Sequence, residues 1–391
     1  MIKYEPMAST QGADEMNNHS ITRRTFFKGC ITWSKVAAML GVFPSCSVRK
    51  SSTLTEKERL ISAELHGLSL REIAQKKLHH GNDCYLNLFG GPTHVNYWPI
   101  FFKLQNMHNP FVEFYPQERV VPVSIDWEPV KRSRGLSLTF IKHACVMIKD
   151  REQYILVDPL FFHLPYLKDF TPLAFNIKKM PRPDHVLVTH GHRDHMDKPS
   201  LATLERKTHV ITPLGYKRVF ENLEMDQRTQ MDWFDTFKQA GLEITLLPCK
   251  HWTMRNPFRG TNSSLWGSFL IKTASGPTIY ISGDTGYFWG FREIGKEYSI
   301  DLAVFNLSAY EPRSVMSPAH VNPYETVKAF QELRAKHLLI VHWGSLRLGY
   351  EPVYFPPVEL KRELQKAGLI DRLIHLPHGQ TLFYDKIAKL S

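Results

Sequence analysis

Six consecutive residues, His190-Gly191-His192-Arg193-Asp194-His195, place three imidazoles and one carboxylate within a single short stretch. Imidazole nitrogen and carboxylate oxygen are ligands for divalent cations, so this crowding points to metal-dependent chemistry. Three more ligand-type residues share one pattern, each following an apolar run: His251 after 244–250, Asp284 after 279–283 and His342 after 338–341. A further histidine, His143, falls inside the first predicted strand pair, where a structural role is expected. Six nitrogens or oxygens and one bridging carboxylate would fill two cation sites, and a pair of cations lowers the pKa of a shared water and steadies charge on attacking and departing oxygens.

The elements that must position these side chains are read from the hydrophobic pattern. Asp184-His185-Val186-Leu187-Val188-Thr189 is a short β-branched apolar run that reads as a buried strand. The hexapeptide then lies on the loop leaving its C-terminal end, where active sites are built. A strand pair is expected over 136–148 and 153–158, with 149–152 as its turn, and further strands over 209–212, 243–247, 265–273, 278–282, 302–306 and 338–342. Helices are expected over 198–206, 323–335 and 357–367. Strands that share one sheet would bring their C-terminal ends together, so that the three distant ligands meet the hexapeptide. The interleaving, with no G-x-G-x-x-G after the first strand, argues for a layered α/β arrangement other than a dinucleotide-binding fold. Upstream, residues 54–79 read as helical with Ser69 and Glu72 as a capping box, and 81–130, rich in Pro, Asn and aromatics, as an extension wrapping the core.

These ligand motifs resemble those of the metallo-β-lactamase superfamily over roughly residues 135–384. Within it, seven segments in order resemble the N-acylphosphatidylethanolamine-hydrolysing phospholipase D family: Ala144-Cys145-Val146-Met147-Ile148, His251-Trp252, Leu265-Trp266-Gly267-Ser268, Gly283-Asp284-Thr285-Gly286-Tyr287, Ala309-Tyr310-Glu311-Pro312-Arg313, His320-Val321-Asn322-Pro323 and His342-Trp343-Gly344. The resemblance implies an α/β, four-layer αββα sandwich with an N-terminal extension. It implies two Zn2+ per chain: His190, His192 and His251 on the first, Asp194, His195 and His342 on the second, and Asp284 bridging. Zinc suits imidazole and carboxylate donors, although iron and manganese accept the same mixture. The implied reaction is hydrolysis of N-acyl phosphatidylethanolamine to phosphatidic acid and an N-acylethanolamine. Asp194, Asp284 and His320 are then the catalytic candidates. His320 and Arg255 are candidates for phosphate contact or proton delivery, and Asp158 and Asp197 for orienting the imidazoles.

Residues 1–50 read as a leader. Ser20-Ile21-Thr22-Arg23-Arg24-Thr25-Phe26-Phe27-Lys28 followed by an apolar stretch to Phe43 resembles a twin-arginine export signal, and Phe43-Pro44-Ser45-Cys46 loosely resembles a lipoprotein processing site. Residues 51–130 are then an extension and 131–391 the catalytic domain. Periplasm or cell envelope, with lipid on Cys46, is the expected location; a cytoplasmic, membrane-associated protein with a basic tail is the alternative. Five cysteines without a C-x-x-C pair imply no disulfide framework or Cys-zinc knot. The net charge of +11 suits anionic lipid or a phosphorylated substrate. The basic, aromatic segment 161–179 could touch a membrane surface or an acyl chain. Expected partners are a phospholipid substrate and a membrane surface; homo-oligomerisation is left open, and without an aromatic-interleaved basic appendage nucleic acid is not expected. Two readings compete: a metal-dependent hydrolase of a small soluble ester, lactone or cyclic phosphate, and an exported binding protein without catalysis.

Overall fold

The computed structural model describes residues 65, 67–90, 103–104, 106–255 and 260–384. The expected leader and the start of the helix expected over 54–79 lie outside these. The described helix α1 (Leu70–Gln75) begins at the expected capping box: the Ser69 hydroxyl accepts from the Glu72 backbone N–H, and the Ser69 N–H donates to the Glu72 carboxylate. A short helix, α2 (Glu128–Arg132), precedes the sheets.

The first sheet starts as an antiparallel meander of β1 (Ser137–Lys142), β2 (Cys145–Asp150) and β3 (Gln153–Val157). The expectation of one strand over 136–148 is corrected here. His143 adopts a left-handed φ of 52° and divides the segment into two strands, a turn that apolar periodicity does not reveal because few residues other than glycine adopt it. Parallel strands β4 (His185–Leu187), β5 (His209–Pro213) and β6 (Arg228–Met231) extend the sheet. Of the helix expected over 198–206 only α3 (Lys198–Leu201) forms, and α4 (Lys217–Glu221) follows β5.

The second sheet holds β7 (Thr236–Gln239), β8 (Leu242–Leu247), β9 (Ser268–Lys272) and β10 (Thr278–Ile281) in antiparallel order, then β11 (Leu302–Asn306), β12 (His337–Val341) and β13 (Leu373–Ile374) in parallel. The last strand, β14 (Thr381–Phe383), returns to pair with β1. Alternation along β2 divides its side chains between two cores. Val146 and Ile148 join Ile244, Leu246 and Phe269 of the second sheet, whereas Cys145 and Met147 join Val130, Leu201 and Phe220 of α2 to α4. Helices α5 (Gly290–Glu297), α7 (Pro323–Leu333) and α8 (Phe355–Lys366) bury Phe291, Ile294, Phe330, Leu333, Leu360 and Leu364 on the second sheet, with the short α6 (Arg313–Met316) ahead of α7. The result is the expected αββα sandwich of two mixed sheets flanked by helices.

Helix α5 is not among the helices expected from sequence, and its two glycines weaken its helix propensity. Gly295 is there for packing: a Cβ at this position would overlap the Glu332 carbonyl oxygen of α7. Gly295→Ala is therefore expected to destabilise the fold by about 1–3 kcal/mol through overpacking, as a lower thermal midpoint would register.

The segment ahead of β1 is fastened to the sandwich by charge. Lys77 Nζ, His79 Nε2 and His80 Nε2 lie 2.5, 2.6 and 2.8 Å from the carboxylate of buried Asp232, between β6 and β7. The His79 ring also stacks on Trp233 at 4.1 Å. Further along, the Asn87 side-chain N–H donates to the backbone carbonyl of His251 at 2.6 Å. Among the described residues no helix is long and apolar enough to cross a membrane.

Candidate metal centre

The four strands that end in ligand-type residues are divided between the sheets. β4, which delivers the hexapeptide, belongs to the first sheet, while β8, β10 and β12, which precede His251, Asp284 and His342, belong to the second. The expectation of one shared sheet is corrected accordingly: the strand ends of two facing sheets meet at one rim. There all seven predicted ligand residues converge, each 9 % exposed or less.

Two adjoining groups result. His190 Nε2 and His251 Nε2 lie 2.9 and 3.3 Å from His192 Nδ1, three ring nitrogens aimed at one point. In the second group, His195 Nε2 lies 3.2 Å from His342 Nε2 and 3.5 Å from Asp194 Oδ2. Asp284 stands between the groups: its oxygens are 3.3 Å from His195 Nε2, 3.4 Å from His342 Nε2 and 3.9 Å from both His190 and His251 Nε2.

The outward nitrogens of His190, His195 and His251 are tied to the protein, which fixes their inward ones as donors to a cation, whereas His192 Nε2 and His342 Nδ1 are buried without a hydrogen-bond partner among the described residues. His251 Nδ1 donates to the Ala319 carbonyl at 3.0 Å, and His195 Nδ1 to Asp158 Oδ2 at 2.9 Å. His190 Nδ1 lies 3.0 Å from the Thr189 hydroxyl. Burial, then the crowding of imidazoles, holds His190 and His251 well below the ordinary histidine pKa, and burial pushes His192 down to about 4. Burial opposes ionisation of Asp194 and Asp284, but the facing imidazoles hold both carboxyls well below the usual range. Burial likewise opposes charging of His195, yet the Asp284 and Asp194 carboxylates raise its pKa well above the usual value. The buried imidazoles of His190, His192 and His251, held below their ordinary pKa, and two buried carboxylates that among the described residues meet no lysine or arginine, all aimed at common points, fit a pair of divalent cations.

The backbone around the centre is strained in a way that suits a built site. His143, Asp158 and His342 all hold left-handed φ angles, 52°, 42° and 74°. The His342 N–H donates to the His143 carbonyl at 2.7 Å, and the His143 N–H donates to the Ser345 hydroxyl at 2.8 Å. These bonds lock the β1–β2 turn against the end of β12, and His143 Nε2 reaches Asp194 Oδ2 at 3.0 Å. His143 thus contacts a ligand residue, beyond the structural role expected for it. Asn306, at the end of β11, was also missed; its amide donates to Asp284 Oδ1 at 2.8 Å. The available signal was a polar residue closing an apolar strand.

The other candidates separate. His320 joins the centre, with Nδ1 3.9 Å from Asp284 Oδ2. Arg255 instead lies with Arg193 on a neighbouring cavity, donating to the Met196 carbonyl at 2.7 Å. Asp197 caps α3 through the Ser200 N–H. Asp158 does orient a ligand, holding His195 while accepting from the Thr189 N–H and hydroxyl at 2.8 and 2.7 Å. Asp158→Asn is expected to weaken the affinity for an added divalent cation about 10–100-fold, measured by competition with a chromogenic chelator.

Residues 153–343 match the beta-lactamase superfamily domain family. The chain is 31% identical over 245 residues to the mitochondrial N-acyl-phosphatidylethanolamine-hydrolyzing phospholipase D of Saccharomyces cerevisiae, a match covering 59% of this chain and 52%, about half, of that one. It is 25% identical over 318 residues to N-acyl-phosphatidylethanolamine-hydrolyzing phospholipase D 1 of Caenorhabditis elegans, covering 76% of this chain and 89% of that one. Among solved structures, the isothiocyanate hydrolase from Delia radicum gut bacteria superposes with a TM-score of 0.52 at 17% identity, over 63% of this chain and 98% of that one, a likeness of fold. With its ligand-type residues gathered at the strand ends along the rim of an αββα sandwich, residues 153–343 form a domain of the beta-lactamase superfamily whose clustered imidazoles and carboxylates could hold metal.

Proposed function

We propose that the chain is a dinuclear zinc phosphodiesterase that hydrolyses N-acyl phosphatidylethanolamine to phosphatidic acid and N-acylethanolamine. The observation that carries this reading is Asp284, placed within 3.9 Å of the ring nitrogens of both donor groups. The likeness to phospholipases of that specificity in yeast and nematode supports the substrate.

His190, His192 and His251 would hold one cation, Asp194, His195 and His342 the other, with Asp284 shared. Bound there, the two ions would supply an acidified water and fixed positive charge for the phosphate. In the reaction, a water oxygen bonds to phosphorus as the bond to the ethanolamine oxygen breaks, and the departing alkoxide takes up a proton. Asp194 faces the donors with Oδ2, and His143 Nε2 contacts that same oxygen at 3.0 Å, so the carboxylate keeps one orientation. His320, at the open side with 15 % of its side chain exposed, is positioned to meet a phosphate or leaving-group oxygen. Its backbone is braced, since the His320 carbonyl accepts from Arg313 Nη1 at 2.9 Å. On this reading the substrate is met at a membrane surface, and the leader expected over 1–50 would direct the protein to the cell envelope with Cys46 as its lipid attachment point.

The test is turnover of N-acyl phosphatidylethanolamine by the zinc-loaded chain, beside a soluble bis-aryl phosphodiester and a lactone. Phosphatidic acid and N-acylethanolamine are the expected products. Release of free fatty acid would make the protein a lipase, and preference for the lactone would make it a hydrolase of small soluble substrates.

A further inference from the structure

Next to the metal donors lies a cavity of about 660 Å³ that shares its walls with the ligand loops. Arg193, from the hexapeptide, and Arg255, four residues beyond His251, border it; Lys198 of α3 and Arg218 of α4 complete a ring of four cations. Among the described residues none of the four is in an ion pair. The carboxylate in the lining, Asp197, is already engaged, its Oδ2 accepting from the Ser200 N–H at 3.0 Å and hydroxyl at 2.6 Å. Burial, and then the proximity of Arg193, push the Arg255 pKa down to about 10 against the opposing pull of Asp197, so the crowding of cations outweighs the one carboxylate in the lining.

Such a ring is matched to phosphate. Guanidinium forks pair with two phosphate oxygens at once, and an ammonium adds a mobile point charge. The rim adds a second observation. Leu164 and Pro165 line the cavity, and the adjacent Phe162 and Tyr166 stand 40% and 62% exposed, with Lys168 also at the surface. Exposed aromatic rings flanked by cations at the mouth of a basic cavity suit the headgroup layer of a bilayer, where a ring sits at the interface and a cation meets phosphate.

We infer that this cavity binds a phosphate group distinct from the one undergoing hydrolysis, presented by the headgroup of an anionic phospholipid in the surface on which the protein works. The site requires no particular reaction at the metal centre, so it is tested by binding and stands or falls separately from the hydrolytic reading.

The full chain is sedimented with phosphatidylcholine vesicles, alone or containing phosphatidic acid, with and without inorganic phosphate as competitor. In the Lys198→Gln/Arg218→Gln chain, partition onto phosphatidic acid vesicles is expected to weaken about thirtyfold, with partition onto pure phosphatidylcholine and turnover of the soluble bis-aryl phosphodiester unchanged. A control chain, Lys296→Gln/Lys361→Gln, loses the same charge from α5 and α8 and is expected to bind as the parent does. Competition by inorganic phosphate would show that the cavity takes phosphate from either source. Loss of vesicle binding in the cavity variant without such competition would assign it to the lipid surface. Equal binding by the cavity variant and the parent overturns the inference, as does an equal loss in the control, which would reduce the effect to diffuse charge.

Discussion

On the proposed function, the Asp284→Ala chain is expected to hydrolyse N-acyl phosphatidylethanolamine at least about a thousandfold more slowly than the parent chain. The Asp284 carboxylate faces both donor groups. One oxygen lies 3.4 Å from His342 Nε2, and the other lies 3.3 Å from His195 Nε2 and 3.9 Å from His190 and His251. Alanine removes the shared anion and leaves the two groups of imidazoles facing each other with half their negative charge gone. The content of bound metal should then fall below that of the parent chain. The fold should persist, because the Asp284 side chain otherwise meets only the Asn306 amide and the rings around it. Unchanged near-ultraviolet circular dichroism beside the lost turnover and lost metal is the expected pattern; full turnover in the variant would remove Asp284 from the mechanism.

Stability should respond most strongly at Asp169. Lys142, the last residue of β1, is fully buried, and its ammonium lies 2.6 Å from Asp169 Oδ2. The other oxygen of Asp169 accepts from the Thr171 N–H at 3.0 Å, and the Thr171 hydroxyl donates to Ser345 at 2.8 Å, the same serine that accepts from the His143 N–H. Asp169→Asn strands the lysine charge in the interior and is expected to cost about 3–5 kcal/mol. A Lys142→Met/Asp169→Asn chain, which removes the buried charge altogether, should recover most of that loss. Denaturant unfolding of the three chains measures both effects, and equal midpoints for the single variant and the parent would show that the ion pair carries no weight.

The metal centre was legible because its chemistry is carried by residue type and place. An imidazole or carboxylate directly after a buried apolar run has few structural reasons to be there, and His190, His251, Asp284 and His342 all occupy that position. His143 was set aside because a histidine between two strands looks like any strand residue; only the left-handed turn that aims it at Asp194 distinguishes it. The partition into two sheets was not legible either, since strand pairing is decided by tertiary packing between segments far apart in the chain. Strands β6 and β7 escaped notice for a local reason. They are edge strands whose Arg228, Thr236, Lys238 and Gln239 face solvent, so they lack the apolar alternation that marks a half-buried strand. Asp197 and Asp158 looked equivalent as sequence, yet one caps a helix and the other orients a ligand. That difference depends on where β4 places Thr189 and His195, which spacing does not record.

The clasp at Asp232 determines how much of this protein must travel together. Asn87 grips the backbone of His251, and the stretch that carries Asn87 is itself anchored by Lys77, His79 and His80. A chimera that borrowed only the sandwich would inherit an aspartate stripped of its bases and a cation-binding histidine whose main chain had lost a brace. The smallest unit that can be exchanged between relatives therefore opens at Ser69, well before the first strand.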